Sequence, residues 1–309
     1  MDDLPLVSIG MPAYNGERFI SQALDSLLGQ DHENFELIIS DNASTDRTSE
    51  ICRDYAARDR RIQFHQNPDN AGAVSNFNRV LHAARADYFM WAAADDLWEP
   101  TYISTLLARL MSDHRAVLAF SAFNNVDDQG EGIREYPWLF ELPSDQVSQR
   151  LLNYIVQDER SGKANLIYGL MRRHTLQSAG GFKIWGRSPW GADMLVVFRL
   201  LASGNLTVAD RLLFHKRLVS TSPETPARRA KRAVPIRLVG RLRRLRSALV
   251  DRRGYIAGYD SIIRAIDQLT MNEKRRLQAA LRERAWELYR SEIRERLIEP
   301  ALRWPRRTC

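Results

Sequence analysis

Cysteine is almost absent from this chain: 309 residues contain only Cys52 and Cys309. Two cysteines so far apart supply neither a disulfide framework nor the paired spacing of a zinc site, and they fit a reduced compartment. Long apolar runs are missing too. No segment approaches the roughly 20 uninterrupted apolar residues that span a bilayer. The start, MDDLPLVSIG, is acidic and lacks the basic opening of a secretion signal. The expectation is a cytoplasmic protein. Neither GxGxxG nor GxxxxGK[ST] follows a strand-like segment, which removes the usual dinucleotide fingerprint and the P-loop kinases.

What is present is enough apolar material, 44% of residues, for one large domain or two smaller ones. Charge is divided unevenly. Residues 226–309 carry 23 Lys and Arg against 9 Asp and Glu, leaving 22 against 29 before them. The change of sign coincides with STSPETPA at 220–227, a composition that reads as a linker or exposed loop. A division into one domain over 1–225 and a basic extension over 226–309 is therefore expected.

The first hundred residues alternate strand-like and helix-like patterns. Strands are expected at 6–11, 35–40, 61–65 and 88–94, with helices between them. Such alternation argues for a parallel sheet with helices on both faces, because each parallel connection needs a crossover. The loops after the strands, 12–16, 41–46, 67–72 and the Asp95-Asp96 pair, then become neighbours. In an open α/β sheet, ligands bind outside the carboxyl ends of the strands. Asp95 and Asp96 fit such a site mouth, and they equally fit a turn that caps the helix after Pro100. Loops rich in acids and amides suit bases, riboses and metal ions better than bare phosphate. Farther on, strand patterns are expected at 117–123 and 167–171, helix over 144–157 and 195–201, and two short strands within 205–218 turning at Ala209-Asp210. Asp193 falls in the first turn of a helix, where the dipole favours a carboxylate for structural reasons alone.

In their order, PAYN, SDNASTD, NxG and ADDLWEP resemble family 2 glycosyltransferases, a group with the GT-A fold that uses nucleotide-diphosphate sugars. The resemblance covers about residues 5–220. It implies an α/β fold of GT-A type, a mixed and mainly parallel sheet flanked by helices, followed here by a basic α-helical C-terminal segment. It implies an inverting transferase of hexosyltransferase type, acting in polysaccharide or glycolipid synthesis with Mg2+ or Mn2+ as cofactor. Pro12, Ala13, Tyr14 and Asn15 are then expected along the nucleoside, Asp41 on the base, and Asn70 and Asp95 on the nucleotide sugar. An acceptor-only carboxylate such as Asp41 can read an imide N–H, which favours a UDP-linked donor. Asp95 and Asp96 take the place of the metal motif, although Ala93 stands where its first acid is usual. Phe77-Asn78 likewise replaces a common Arg-Asn. Asp193 takes the place of the base that deprotonates the acceptor hydroxyl. Trp185, Trp190 and Arg187 flank it as candidate acceptor contacts, with packing as the other reading of the tryptophans. His215, Lys216 and Arg217 are further candidates near the metal or diphosphate.

Leu238, Leu242, Leu245 and Leu249 recur at helical spacing among arginines, which makes a basic amphipathic helix. Its leucines either dock on protein or, through 228–250, touch an anionic membrane surface where a lipid-linked acceptor would be found. The expected partners are the donor and a saccharide or lipid-linked acceptor. No nucleic-acid module accompanies the charge, and oligomer formation stays open. The rival readings are a catalytically impaired sugar-nucleotide-binding or scaffold protein, and a sugar nucleotidyltransferase. The second rival lacks its glycine-rich GGxGTRL start after the first strand.

Overall fold

The computed structural model describes residues 4–136, 144–218 and 238–298. They fall into two compact units. One holds the described residues up to 183 together with 191–218; the other holds 184–190 and 238–298. The short segment 184–190 thus groups with the C-terminal helices instead of with the sequence on either side of it.

The first unit opens with the expected alternation of β1 (Val7–Ala13), α1 (Ile20–Leu28), β2 (Phe35–Asp41), α2 (Thr48–Arg58), β3 (Ile62–Gln66), α3 (Ala73–Ala83) and β4 (Tyr88–Trp91). It continues with β5 (Leu97–Trp98), α4 (Tyr102–Ser112), β6 (Ala116–Val126), β7 (Gly132–Tyr136), α5 (Val147–Val156), β8 (Leu170–Arg172), α6 (Arg173–Ser178), α7 (Ala192–Ser203) and β9 (Asn205–Arg217). The strands form one mixed sheet in the order β3-β2-β1-β4-β8-β6-β9-β5, with β7 paired to β6. Most of its register is parallel, along β3-β2-β1-β4 and again between β6 and β9. Every residue of β2 is buried, as a strand covered on both faces requires. Helix α3 lies close on β1 at Gly10, where an added Cβ would stand 2.7 Å from a Val80 methyl. Because β1, β2, β3 and β4 run the same way, the loops at their carboxyl ends gather along one edge of the sheet.

Three local expectations are corrected. β4 ends at Trp91, so Ala92, Ala93 and Ala94 belong to the loop. Residues 163–168 form a 3-10 turn, and the strand expected from 167 is the short β8. The two strands expected within 205–218 are one, β9, since pairing with β6 resumes after a register shift in which Ser121 faces Ala209 and Ala122 faces Leu212. The turn expected at Ala209-Asp210 is an irregularity inside a continuing strand, with Ala209 buried and Asp210 exposed.

The second unit is a pair of packed helices, α8 (Leu238–Ala265) and α9 (Met271–Ile293). Thr270 starts α9 with a complete capping box, its hydroxyl and the Glu273 carboxylate satisfying each other's backbone N–H groups. Leu245, Ala248, Tyr255, Tyr259, Ile262 and Ile263 of α8 are buried, as are Leu277, Leu281, Ala285 and Leu288 of α9. The leucine stripe read from the sequence therefore turns inward at Leu245, while Leu242 is 48% exposed. Residues 228–237 of the expected membrane segment lie outside the described residues. No described helix is long and apolar enough to cross a membrane.

Candidate active site

A cleft of about 760 Å3 opens at the carboxyl edge of the parallel strands, lined by Pro12, Ala13, Tyr14, Asn15, Asn42, Asn70 and Asp95, among others. Its walls are fixed by loop-to-loop hydrogen bonds. Asn15, in left-handed backbone geometry (φ 50°), accepts from Thr45 N at 2.8 Å, and its own N–H donates to Ser44 Oγ at 2.9 Å. Gly16 N donates to Thr48 Oγ1 at 2.8 Å. The loops after β1 and β2 are thereby one piece.

The floor is a lattice of asparagines. Asn42 Oδ1 accepts from Ala71 N and Asn67 Nδ2, both at 3.2 Å, while Asn42 Nδ2 donates to Asn70 Oδ1 at 2.7 Å. Asn70 Oδ1 also accepts from Gly72 N at 2.9 Å, and Asn67 Nδ2 also reaches Asn76 Oδ1 at 3.1 Å. Two backbone N–H groups, which can only donate, fix the amide orientations of Asn42 and Asn70. Asp41, expected on the base, is fully buried beneath this floor and is not among the cleft-lining residues. Its carboxylate accepts from Ser44 N at 3.2 Å and from the hydroxyls of Ser44 and Ser49, which closes the turn into α2. Its neighbour Asn42 takes the cleft position, because successive side chains at a strand end point to opposite sides.

The adjacent carboxylates also part company. Asp95 lines the cleft, and its carboxylate has no hydrogen-bond partner among the described residues. Asp96 is fully buried, with Lys216 Nζ at 2.9 Å from Oδ2 and Arg217 N donating to Oδ1 at 2.9 Å. Burial pushes the Asp96 carboxyl up to about 6 against the pull of Lys216. Burial works against the Lys216 charge, but Tyr168 and the Asp96 and Asp95 carboxylates outweigh it and hold the ammonium protonated. Arg217 orients the neighbourhood. Its guanidinium donates to the Asp95, Asp127 and Asp128 carbonyls and to Gln22 Oε1, at 2.8–2.9 Å, and lies over the Phe19 ring.

Asp193 enters from α7, where Gly191 in left-handed geometry (φ 78°) sets the helix start. Its Oδ1 accepts from Met194 N at 2.7 Å. Burial raises its carboxyl above the ordinary range, opposed by that hydrogen bond and by the positive charges of Lys163 and Lys216. A largely buried carboxylate held this way is a stronger proton acceptor than a solvated one. Burial drives the Tyr168 hydroxyl up to about 12; the Lys216 charge opposes the rise and the charges of Asp96, Asp95 and Asp193 add to it.

The sequence matches the family described as Glycosyl transferase family 2 over residues 8–169. The chain belongs to that family. Among curated relatives, the putative colanic acid biosynthesis glycosyl transferase WcaA of Escherichia coli K12 is 34% identical over 156 residues, covering 49% of this chain and 53% of WcaA. The chain spans about half the length, or less, of the curated relatives it matches. The crystal structure of S. aureus TarS 1–349 aligns with 95% of this chain and 75% of its own, at TM-score 0.68 and 18% identity. Mannosyltransferase PcManGT from Pyrobaculum calidifontis, solved with GDP-Man and Mn2+, aligns over 94% and 74% at TM-score 0.53 and 16% identity. These two likenesses establish the GT-A fold.

Within this family 2 fold, several expected residues have other surroundings. Phe77 lines the cleft and packs on Phe182 and Trp91, with ring centroids 4.7 and 6.0 Å apart. Where that position offers no charge, Arg18 does: it lines the cleft and pairs with Asp128 at 2.8 Å. Sequence reading passed over Arg18, Asn42 and Asn76, although Arg18 stands three residues beyond the PAYN motif. Trp185, Arg187 and Trp190 belong to the second unit. Trp190 lies beneath the Arg252 guanidinium, 3.3 Å from its ring centroid, and meets the Tyr255 ring edge-on at 4.9 Å, so packing occupies it. Arg187 is exposed. His215 is held by Asn124 and Glu99 at 2.7 and 2.8 Å.

A divalent cation is implied by the family. Among the described residues, no group of three or more His, Cys, Asp or Glu side chains converges. Mg2+ or Mn2+ needs only one or two protein carboxylates when a diphosphate and waters complete its shell. Asp95 fits that requirement, while the Asp96 oxygens are engaged by Lys216 and Arg217.

Proposed function

We propose that this chain is an inverting glycosyltransferase that moves a sugar from a nucleotide-diphosphate donor, favoured as UDP-linked, to a hydroxyl of a saccharide or lipid-linked acceptor in polysaccharide or glycolipid synthesis. The observation that carries the reading is the cleft itself: an amide floor and the Asn15 loop for a nucleoside, ending at one carboxylate, Asp95, without a hydrogen-bond partner among the described residues. Curated relatives named for colanic acid and teichuronic acid biosynthesis support the polysaccharide setting. TarS solved with UDP-GlcNAc, at TM-score 0.64, supports the donor class.

The acceptor oxygen attacks the anomeric carbon as its proton passes to an Asp193 oxygen, and the bond from that carbon to the diphosphate oxygen breaks with its electron pair leaving on the nucleotide. A single displacement inverts the anomeric centre. Asp193 suits the proton-accepting role because burial has raised its basicity. Arg18 and Lys216 are the cations of this chain closest in role to the departing charge, and Asp95 would hold Mg2+ or Mn2+, which supplies further neutralisation when bound. Asn42, with its Oδ1 committed to Ala71 N, presents its remaining N–H as a donor, so it would read a base carbonyl.

The test is a panel of nucleotide sugars with Mn2+, read by thermal shift and by release of nucleotide diphosphate. Binding raises the melting temperature without any knowledge of the acceptor. A UDP-sugar that stabilises the chain and releases UDP in the presence of acceptor sustains the proposal. Absence of both across the panel overturns it. Stabilisation without turnover on any acceptor would favour the binding-only reading, for which Ala93 and the engaged Asp96 speak.

A further inference from the structure

Helix α9 carries a face that the packing with α8 leaves open. Met271, Arg275, Arg282, Trp286, Arg290 and Ile293 follow one another at intervals of four, seven, four, four and three residues, which keeps them on one side of a helix. All six are exposed; Met271, Trp286 and Ile293 expose 66%, 63% and 39% of their surface. The buried residues Leu277, Leu281, Ala285 and Leu288 occupy the other side. No acid interrupts the open face. Glu283 and Glu287 lie on its flank, and Glu287 is paired with Arg284 at 2.6 Å. The 23-residue helix is about 35 Å long, so the face is a straight stripe with large apolar side chains at both ends and in the middle, and arginines between them.

We propose that this stripe lies flat on an anionic lipid surface. Arginine stems can run along apolar surface while their guanidinium groups stay at headgroup phosphates, and an indole is at home at that boundary. Met271 and Ile293 then gain an apolar phase that neither water nor a nucleic acid offers. A second copy of the same face would oppose arginine to arginine, with acids only on the flank. A nucleic acid would satisfy the charges but leave the methionine and isoleucine in water. The expectation from sequence had placed the membrane contact on 228–250, where the structure turns Leu245 and Ala248 inward.

The experiment is co-sedimentation of the full chain with phosphatidylcholine vesicles, with and without phosphatidylglycerol. Binding is expected only to the anionic vesicles and should weaken with salt. Arg282→Glu with Arg290→Glu should lower the partition coefficient by roughly thirtyfold or more, and Trp286→Ala by several-fold. Arg58→Glu with Arg60→Glu, the same charge change at exposed positions of the first unit, should retain most of the binding. Far-UV circular dichroism establishes that each variant folds, and the double arginine variant decides if Trp286→Ala does not. Equal binding to neutral vesicles, or parent-like binding by the stripe variants, overturns the proposal. So does a stripe variant that loses a dimer or an oligonucleotide complex while keeping its vesicle binding.

Discussion

On the β1–β3 side of the cleft, Asn42, Asn67, Asn70 and Asn76 hold one another and the backbone through neutral hydrogen bonds, whereas around Asp95 the structure concentrates formal charge in Asp96, Lys216 and Arg217, and the Lys216 charge acts in turn on Asp193. The neutral side can fix the shape of a nucleoside pocket without creating a field. The charged side sits where the reaction generates charge, and preorganised groups contribute most there. The two sides should therefore fail differently when altered, one in donor binding and fold, the other in turnover.

The largest effect is expected at Asp193. Asp193→Asn should lower turnover by roughly 10²- to 10⁴-fold while leaving the donor-induced thermal shift intact; equal loss of both would place Asp193 in binding. Its pH profile sharpens the point. A base works deprotonated, and burial raises the Asp193 carboxyl, so kcat/KM should fall as pH drops through a value above the ordinary carboxylate range. Next comes Lys216→Met, which leaves the buried Asp96 carboxylate without its cation. Removing one partner of a buried pair costs about 3–5 kcal/mol, and the melting temperature should fall accordingly. An Asp96→Asn, Lys216→Met double variant should recover much of that loss. The smallest effect belongs to the amide side. Asn42→Asp turns a donor toward Asn70 Oδ1 into a second acceptor, which should cost about 1–3 kcal/mol and weaken donor binding with turnover of bound donor nearly unchanged. A large turnover defect in this variant would erase the distinction between the two sides.

Much of the fold was legible because strand and helix patterns in the first hundred residues are local, and a parallel sheet places their loops together with no further information. Asp95 and Asn70 followed from that placement. The choice between Asp41 and Asn42 did not. β2 is buried on both faces, so its composition carries no alternation from which the phase at its end could be read. The partner of Asp96 was hidden for another reason: Lys216 lies 120 residues away and reaches it because β5 pairs antiparallel with β9, Leu97 facing His215, which sets Asp96 opposite Lys216. The grouping of 184–190 with the C-terminal helices likewise depends on the close approach of Gly186 to Gly254, a contact with no local signature.

The arginine that orients Asp95 has a consequence for how the protein comes into being. Arg217 lies 122 residues downstream of the carbonyl it binds, an interval that takes about 6–25 s to synthesise at 5–20 residues per second. By the end of that interval every residue of β1 to β4 and of the asparagine floor has long been synthesised, yet the charged half still has no clamp. Nascent chains arrested before residue 217 should accordingly acquire the nucleoside pocket first and the reactive centre only when the last strand of the unit arrives.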